Sequence, residues 1–306
     1  MIGPVEHGDA GHHEVEPLDA DGFEGEDEAF DDMVGYGAAG GSLAEAGRAG
    51  DDAVEALDKI TARMQGGEHR PEQQEMCRAV AQAGFDPVPH LPVRLVADKD
   101  TLDRILDSFV RSAHVQEILL ISGDYATPVG RYSNVSEVLG SGALAKHGIT
   151  RVSLAGHPEG HPVVALEEIR RAEREKVRLA AAAHLHVTLV TQFVFESAPF
   201  LEWVRDLRAH GVHARIAGGL AGPASLATLF RFAKRCGVGP SVRALGARPA
   251  SLLQLIGDHG PDRVLGELAQ SLDDGTVDFS GIHLFSFGGF LRTCEWLHST
   301  GMTAGK

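Results

Sequence analysis

The fold is decided by the stretch Leu154-Ala155-Gly156-His157-Pro158-Glu159-Gly160-His161-Pro162, in which an apolar segment runs into a loop with two histidines and a carboxylate. The apolar segment begins at about residue 151, and a charged pattern with helical periodicity follows over about residues 165–183. This stretch predicts a β-loop-α unit whose polar residues follow the carboxyl end of a strand, which is where α/β enzymes place their sites.

Segments with the patterns of strands and helices alternate along the rest of the chain. The predicted strands are 85–90, 117–123, 151–156, 186–195, 212–217 and 281–287, and the predicted helices are 71–83, 99–113, 136–147, 165–183, 198–210, 225–236 and 291–298, with further helical segments between 251 and 272. Such alternation indicates parallel βαβ units. With weaker strand candidates in the first 45 residues, it predicts a parallel (β/α)8 TIM barrel with an atypical or degenerate N-terminal portion.

The first 32 residues differ in composition from the rest of the chain. They contain twelve of the 43 Asp and Glu residues and no Lys or Arg. Low hydrophobicity with a high like charge predicts a flexible acidic segment over residues 1–32. The barrel is then expected as one catalytic domain over residues 33–300.

The composition argues against several classes of protein. A chain of 306 residues with 43% hydrophobic and 23% charged residues can bury a full globular core. Its apolar runs are only as long as strands, so we expect neither a membrane span nor a secretory signal. The net charge of −15 and the lack of a basic stripe argue against a nucleic-acid partner. Cys77, Cys236 and Cys294 are far apart, which fits reduced thiols in a cytoplasm.

Polar residues or glycines end each of the six predicted strands. They are Pro89-His90, Ser122-Gly123-Asp124, the loop from His157 to His161, Thr191-Gln192-Phe193, Gly218-Gly219 and the turn from Ser286 to Gly289. Because the carboxyl ends of barrel strands meet at one mouth, these residues predict an active site there. Imidazole, amide and carboxylate groups beside glycines suit a flat heterocycle with polar edges, such as a flavin or a pterin.

Two pairs of histidines invite a metal-binding interpretation, which we do not favour. His157 and His161 have the spacing of helical zinc ligands, but the proline and the glycine between them make a helix improbable. His184 and His186 resemble the paired histidines of metal-dependent barrel hydrolases, but they precede a strand, at the face where residues serve stability. We therefore expect no metal site, and a zinc hydrolase is the weakest alternative. No G-x-S-x-G nucleophile elbow is present either.

In this order, the strand-end motifs resemble those of the methylenetetrahydrofolate reductase family, whose members are flavin-dependent (β/α)8 barrels. The resemblance covers about residues 84–298. The matching residues are Pro89-His90-Leu91, Gly123-Asp124, the loop from His157 to Pro162, Lys176, Thr191-Gln192-Phe193-Val194-Phe195 and Gly218-Gly219-Leu220. The P-E-G-H-P turn and the T-Q-F-x-F strand end are its most specific parts.

The resemblance implies a role for each of these residues. Contacts to FAD are implied for His90, Ser122, Gly123, Asp124, Tyr132, His157, His161 and Lys176. Asp124 would lie near the pyrimidine edge of the flavin and help the folate cation to form. Gln192 would hydrogen-bond the pterin, and Phe195 would pack along the folate.

The implied reaction is hydride transfer from NADH or NADPH, through FAD, to 5,10-methylenetetrahydrofolate, giving 5-methyltetrahydrofolate in one-carbon metabolism and methionine biosynthesis. The same enzyme run in reverse would serve methyl-group catabolism. A flavin-free reductase that uses NADH directly, and a folate-binding or partner subunit without turnover, stay open as alternatives. The expected ligand is a tetrahydrofolate derivative, and either a homo-oligomer or a partner subunit is compatible with the sequence.

The chain departs from the family pattern at four places. Ser122 stands where the family has Arg, and His157 stands where it has Tyr. The turn Phe287-Gly288-Gly289 replaces the usual L-N-R, and Arg292 follows three residues later. The first-strand E-x-x-P pattern is matched by Glu14, the candidate general acid, but in polar surroundings.

Overall fold

The computed structural model describes residues 70–123, 127–161, 163–225, 228–229, 232–233 and 261–300. The acidic segment over residues 1–32, the first strand candidates, Glu14 and Asp124 lie outside the described residues.

Six strands alternate with helices along the described chain. The strands are β1 (His90–Pro92), β2 (Glu117–Ile121), β3 (Arg151–Gly156), β4 (His186–Phe193), β5 (Arg215–Ala221) and β6 (Gly281–Phe285). The helices are α1 (Arg70–Gln82), α2 (Lys99–Ala113), α3 (Val135–Gly140), α4 (Ala143–Lys146), α5 (Leu166–Ala182), α6 (Ser197–Ala209), α7 (Asp262–Asp273) and α8 (Phe290–Ser299). A short 3-10 helix, Val93–Leu95, follows β1.

The six strands form one parallel sheet in the order β1-β2-β3-β4-β5-β6. Each of the six described strands therefore pairs with the next described strand, and their order does not reverse. A doubly wound sheet reverses its order at a switch point, whereas a (β/α)8 barrel keeps one direction throughout. The predicted fold class, a parallel α/β barrel, is confirmed.

The outer face of the sheet packs against the helices. Its buried apolar side chains come from every second residue of the strands, as in Leu91, Ile118, Leu120, Val152, Leu154, Leu189 and Ile216. Two glycines in the sheet make room for aromatic side chains of α6. A Cβ atom at Gly156 would lie 2.7 Å from the Trp203 ring, and one at Gly218 would lie 3.1 Å from Phe200. Small residues on the strands thus let α6 approach closely.

Helix α2 and strand β3 have the bounds that the sequence predicts. The start of α2 is fixed by Asp98, whose carboxylate accepts a 2.7 Å hydrogen bond from the backbone N–H of Thr101. This is the usual N-cap interaction, which a residue pattern can reveal because it is local. The helix ends at His114, which has a left-handed backbone (φ 51).

Several other predicted bounds were wrong. The first described strand begins at His90 and not at residue 85, because Pro87 and Pro89 offer no N–H for a sheet. The single helix predicted over 136–147 is two helices, since Gly142 takes a left-handed φ of 71 between them. The strand predicted over 212–217 is Arg215–Ala221, because Val212 still belongs to the turn that ends α6.

The remaining strands and helices differ from prediction mainly at their ends. Strands β2, β4 and β6 each end two residues before the predicted position. The helix predicted over 225–236 lies largely outside the described residues, and α7 begins at Asp262 within the helical region predicted between 251 and 272. Among the described residues, no helix is both long and apolar enough to cross a membrane.

Candidate functional site

A cavity of about 490 Å3 lies beyond the carboxyl end of β2, between the start of α3 and one side of α5. Its lining is formed by Ser122, Asn134, Val135, Ser136, Arg171, Ala172, Glu175 and Lys176. Arg171 carries a guanidinium and Lys176 an amine. Glu175 adds a carboxylate, which accepts hydrogen bonds of 2.7 and 2.8 Å from Arg178. The two serines and the asparagine offer hydroxyl and amide groups. The cavity can therefore receive an anionic ligand with polar substituents. Ser122 and Lys176 are the predicted cofactor residues that line it.

Lys176 joins this cavity to the end of β3. Its Nζ atom donates a hydrogen bond of 3.2 Å to the carbonyl oxygen of Ala155. Burial lowers the pKa of Lys176, and the nearby charge of Glu173 offsets part of that effect. The hydrogen bond to the backbone therefore fixes the position of the amine beside the cavity.

Glu173, one turn before Lys176 on α5, is a buried carboxylate that sequence reasoning missed. Its Oε1 atom accepts a 2.7 Å hydrogen bond from the backbone N–H of His157. Its Oε2 atom accepts hydrogen bonds of 3.1 Å from Trp203 Nε1 and from Arg170 Nη1. Burial raises the pKa of Glu173, but the hydrogen bonds from His157 and Trp203 and the charge of Arg170 outweigh it, so the pKa lies below its usual value. The carboxylate stays ionised inside the protein.

Arg170 completes the attachment of the β3 loop to α5. Its guanidinium donates to the carbonyl oxygens of His157 at 2.9 Å and Pro158 at 3.1 Å. Arg170 and Glu173 thus bind both the carbonyls and the N–H of the loop entry, and we call this pair the α5 anchor. The loop continues as a tight turn in which the N–H of Gly160 donates to the His157 carbonyl, so it is not a helix, as predicted.

The two loop histidines lie next to each other. Their ring centroids are 6.1 Å apart, and the rings meet edge to face. The Nδ1 atom of His157 lies 3.5 Å from Oε1 of Glu173, while the ring as a whole is 26% exposed. In the described part of the chain, no three His, Cys, Asp or Glu side chains are grouped as a metal ion would require. His184 and His186 lie at the amino end of β4, as expected for structural histidines.

The β4 strand end is held by its neighbour β5 through an irregularity in the sheet. The pairing shifts register between Val190 and Phe193. The Thr191 hydroxyl accepts a 2.8 Å hydrogen bond from the N–H of Gly219 and donates one of 2.8 Å to the carbonyl of Gln192. A Cβ atom at Gly219 would lie 2.5 Å from the Thr191 carbonyl, so only glycine permits this approach. The backbone of Gln192 is therefore held in place by both strands.

A second Arg–Glu pair holds the loop after β4, and we call it the α7 anchor. Arg263 donates hydrogen bonds of 2.8 Å to the carbonyl of Phe195 and of 2.6 Å to Glu267. Glu267 also accepts a 2.5 Å hydrogen bond from the hydroxyl of Ser197. Phe195, the predicted folate contact, thus follows β4 on a loop that α7 attaches at its backbone. Its side chain is buried, with 7% of its surface exposed.

Aromatic side chains fill the β4–β6 side of the barrel mouth. Phe193, Phe195, Phe232, Phe285 and Phe287 pack against one another, with ring centroids 4.2 to 6.0 Å apart. The turn after β6 is equally tight, since a Cβ atom at residue 288 would lie 2.0 Å from a backbone carbonyl. The asparagine of the L-N-R motif therefore has no room at this position.

His283 is a buried polar residue on the inner face of β6. Its neighbours Ile282 and Leu284 face the helix-side core, so the imidazole points the other way, towards the Phe285 ring at 4.6 Å. Among the described residues, no group hydrogen-bonds its Nε2 atom. Burial, with a contribution from His90, lowers its pKa from 6.5 to about 3. Nothing in the sequence pattern distinguishes this histidine from an ordinary strand residue.

The other predicted site residues lie in different surroundings. His90 is half-buried and begins β1, and Gly123 follows β2 with a φ of 86. The ring of Tyr132 is buried in the core before α3, with 1% exposed, and it is not among the residues that line the cavity. Asp124 and Glu14 lie outside the described residues. A pattern does mark Glu173, since it shares the buried face of α5 with Ile169 and Ala180.

Two comparisons with known proteins bear on this site. A family model described as "Methylenetetrahydrofolate reductase" matches residues 53–241. That range contains β1 to β5 and the polar strand ends from His90 to Gly219. The chain is also similar to the crystal structure of a sugar phosphate isomerase/epimerase from Parabacteroides distasonis ATCC 8503, with 12% identity over 83% of this chain and 91% of that one. The TM-score of 0.41 is too low for that likeness to bear on fold or function.

Proposed function

Because the chain belongs to the methylenetetrahydrofolate reductase family, we propose that it catalyses hydride transfer from NADH or NADPH, through FAD, to 5,10-methylenetetrahydrofolate. The family assignment by itself indicates an oxidoreductase that acts on methylenetetrahydrofolate. The flavin, the nicotinamide cofactor and the direction of the reaction are the further content of the proposal.

The observation that carries the cofactor assignment is the cavity of about 490 Å3 between the end of β2, the start of α3 and one side of α5. Arg171 supplies positive charge and Lys176 an amine donor for the diphosphate of FAD, and the hydroxyls of Ser122 and Ser136 suit its sugar and ribityl groups. Serine at position 122 removes the cation that the family has there, but the guanidinium of Arg171 and the amine of Lys176 still line the cavity. FAD, when bound, accepts hydride from the nicotinamide and passes it to the folate.

The protein groups would orient the two ring systems and exclude water. We assign flavin contacts to His90, Gly123, Asp124, Tyr132, His157 and His161, in addition to Ser122 and Lys176. Gln192 is assigned to the pterin. Its backbone carbonyl accepts a hydrogen bond from the Thr191 hydroxyl, which in turn is bound by the N–H of Gly219, and this fixed backbone supports the assignment. Phe195 is assigned to the folate, and Glu14 is the candidate general acid.

The test is the visible absorption spectrum of the purified protein under anaerobic conditions. We expect the two bands of oxidised flavin, their loss on addition of NADH or NADPH, and their return on addition of methylenetetrahydrofolate. A protein that is colourless and stays inactive with added FAD would contradict the flavin assignment. Oxidation of NADH by methylenetetrahydrofolate in that protein would then identify a flavin-free reductase, and folate binding without turnover would identify a binding subunit.

A further inference from the structure

The carboxylate of Glu173 faces both the backbone and the ring of His157. Its Oε1 atom lies 2.7 Å from the backbone nitrogen and 3.5 Å from Nδ1 of the ring. The first distance is a short hydrogen bond, whereas the second is a close electrostatic contact. Oε2 accepts hydrogen bonds from Trp203 and Arg170, and these two bonds fix the orientation of the carboxylate towards His157.

This contact distinguishes the two nitrogens of the imidazole. Nδ1 is buried against the carboxylate, whereas 26% of the surface of the His157 side chain is exposed. Glu173 is ionised, and a negative charge beside Nδ1 favours a proton on that nitrogen. In many functional histidines, a carboxylate beside one ring nitrogen sets the tautomer in the same way. Nε2 is then the nitrogen with a free lone pair, on the side of the ring that faces away from Glu173.

We propose that Glu173 is a positioning residue that holds the His157 ring in its Nδ1–H form, so that Nε2 accepts a hydrogen bond from a hydroxyl or N–H group of the bound heterocyclic ligand. The inference rests on the proposed function, because it assumes that His157 contacts FAD or folate. Both ligands carry such donors, and separate titrations distinguish them.

The arrangement suits the departure at position 157. A tyrosine hydroxyl both donates and accepts without help, whereas a neutral imidazole accepts only at the nitrogen that lacks the proton. A histidine at this position therefore needs a group that decides its tautomer. Glu173 is in place to do so, because its Oε1 atom lies 3.5 Å from Nδ1 of the ring.

The first measurement is the tautomer of His157 in the ligand-free full-length protein, by 15N NMR of the imidazoles. The variant His157→Phe identifies the resonance by its disappearance. We expect a protonated Nδ1 and an unprotonated Nε2 in the neutral ring, and a shift towards the opposite tautomer in Glu173→Gln. A wild-type ring protonated on Nε2 overturns the inference, and this result needs no folded variant of Glu173.

The second measurement is a double-mutant cycle on ligand affinity with Glu173→Gln, His157→Phe and the double variant. We expect each single change to weaken binding about tenfold, the equivalent of one hydrogen bond. The double variant should bind no more weakly than His157→Phe, because Glu173 acts through the ring. Losses that add instead would mean that Glu173 only anchors the backbone, and they would overturn the inference.

The matched control is Glu168→Gln, an exposed glutamate on the same helix that lies outside the cavity lining. It should leave both the tautomer and the affinities unchanged. FAD and 5-methyltetrahydrofolate are titrated separately, so the affected ligand identifies the source of the donor. A wild-type chain that binds neither ligand contradicts the proposed function together with the Nε2 hydrogen bond. If the wild-type chain binds a ligand and Glu173→Gln binds it equally well, the inference is wrong and the proposed function stands.

Discussion

The α5 anchor and the α7 anchor use the same chemistry in different surroundings. In each, an arginine paired with a glutamate donates to the backbone of a loop at the barrel mouth, to two carbonyls in the α5 anchor and to one in the α7 anchor. Arg170 and Glu173 are 12% and 1% exposed, whereas Arg263 and Glu267 are 41% and 39% exposed. Water can replace the contacts of the exposed pair but not those of the buried one. Burial, and not the type of interaction, should therefore decide how strongly each loop is held.

The largest effect is expected from the buried pair. Glu173→Leu removes the acceptor for Trp203 Nε1, for the guanidinium of Arg170 and for the backbone N–H of His157. Removing one partner of a buried ion pair typically costs about 3–5 kcal/mol of unfolding free energy. Chemical denaturation of the purified variant measures this loss. A loss as small as that of an exposed pair would show that burial does not distinguish the two anchors.

His283 sharpens the comparison, because it is buried without the partners that Glu173 has. An unfolded imidazole binds a proton near pH 6.5, whereas folded His283 does so only near pH 3. Stability should therefore fall as the pH is lowered from 6.5 towards 3, by about 1.4 kcal/mol for each pH unit, because the unfolded chain binds the proton first.

The variant His283→Phe should remove this part of the pH dependence. Denaturation at a series of pH values measures the effect, with the exposed His186→Phe as the control substitution. An unchanged slope in His283→Phe would contradict the account of His283 as a buried neutral group.

The catalytic side of the comparison concerns Gln192, the last residue but one of β4, just before the loop that the α7 anchor holds. Gln192→Ala should lower folate turnover about tenfold, as for the loss of one hydrogen bond. It should affect the oxidation of NADH by a dye acceptor less, because that reaction involves no pterin. Steady-state assays of both reactions make the comparison, and an equal loss in the two would contradict the pterin assignment.

The smallest effect is expected from the exposed pair. Glu267→Ala removes one of the two carboxylates that pair with Arg263, the other being Glu196 at 3.3 Å, and the acceptor for the hydroxyl of Ser197. Exposed ion pairs contribute about 0–1 kcal/mol, so the unfolding free energy should fall by no more than about 1 kcal/mol. The same denaturation assay applies, and a loss comparable to that of Glu173→Leu would show that the two anchors have equal weight.

Features that depend on local sequence could be predicted. The bounds of α2 follow from its apolar periodicity and from the Asp98 cap, and the turn at His157 follows from its proline and glycine. The order of alternating segments predicted the parallel sheet. The predicted bounds were wrong where the backbone conformation of one residue or the pairing with another strand decided them. Gly142 is an example of the first cause, and the register shift near Val190 is an example of the second.

The candidate site was predicted only in part. Ser122 and Lys176 were singled out, and both line the cavity. Arg171 lies in a charged stretch of α5 that reads as a solvated helix face, so nothing local distinguishes it from its neighbours. Glu173 lies in the same stretch, and only its place on the buried face with Ile169 and Ala180 separates it from the other charged residues. His283 was missed because its surroundings come from other strands and not from its own.

The sequence by itself determined the class of fold and the polar strand ends of this protein, because periodicity, prolines and glycines act within a few residues of the chain. Only the tertiary structure decided that Glu173 is a buried acceptor, because its partners His157 and Trp203 are 16 and 30 residues away along the chain. Whether a carboxylate is solvated or holds a loop in place depends on which side chains the fold brings around it, and burial then determines how much that contact contributes.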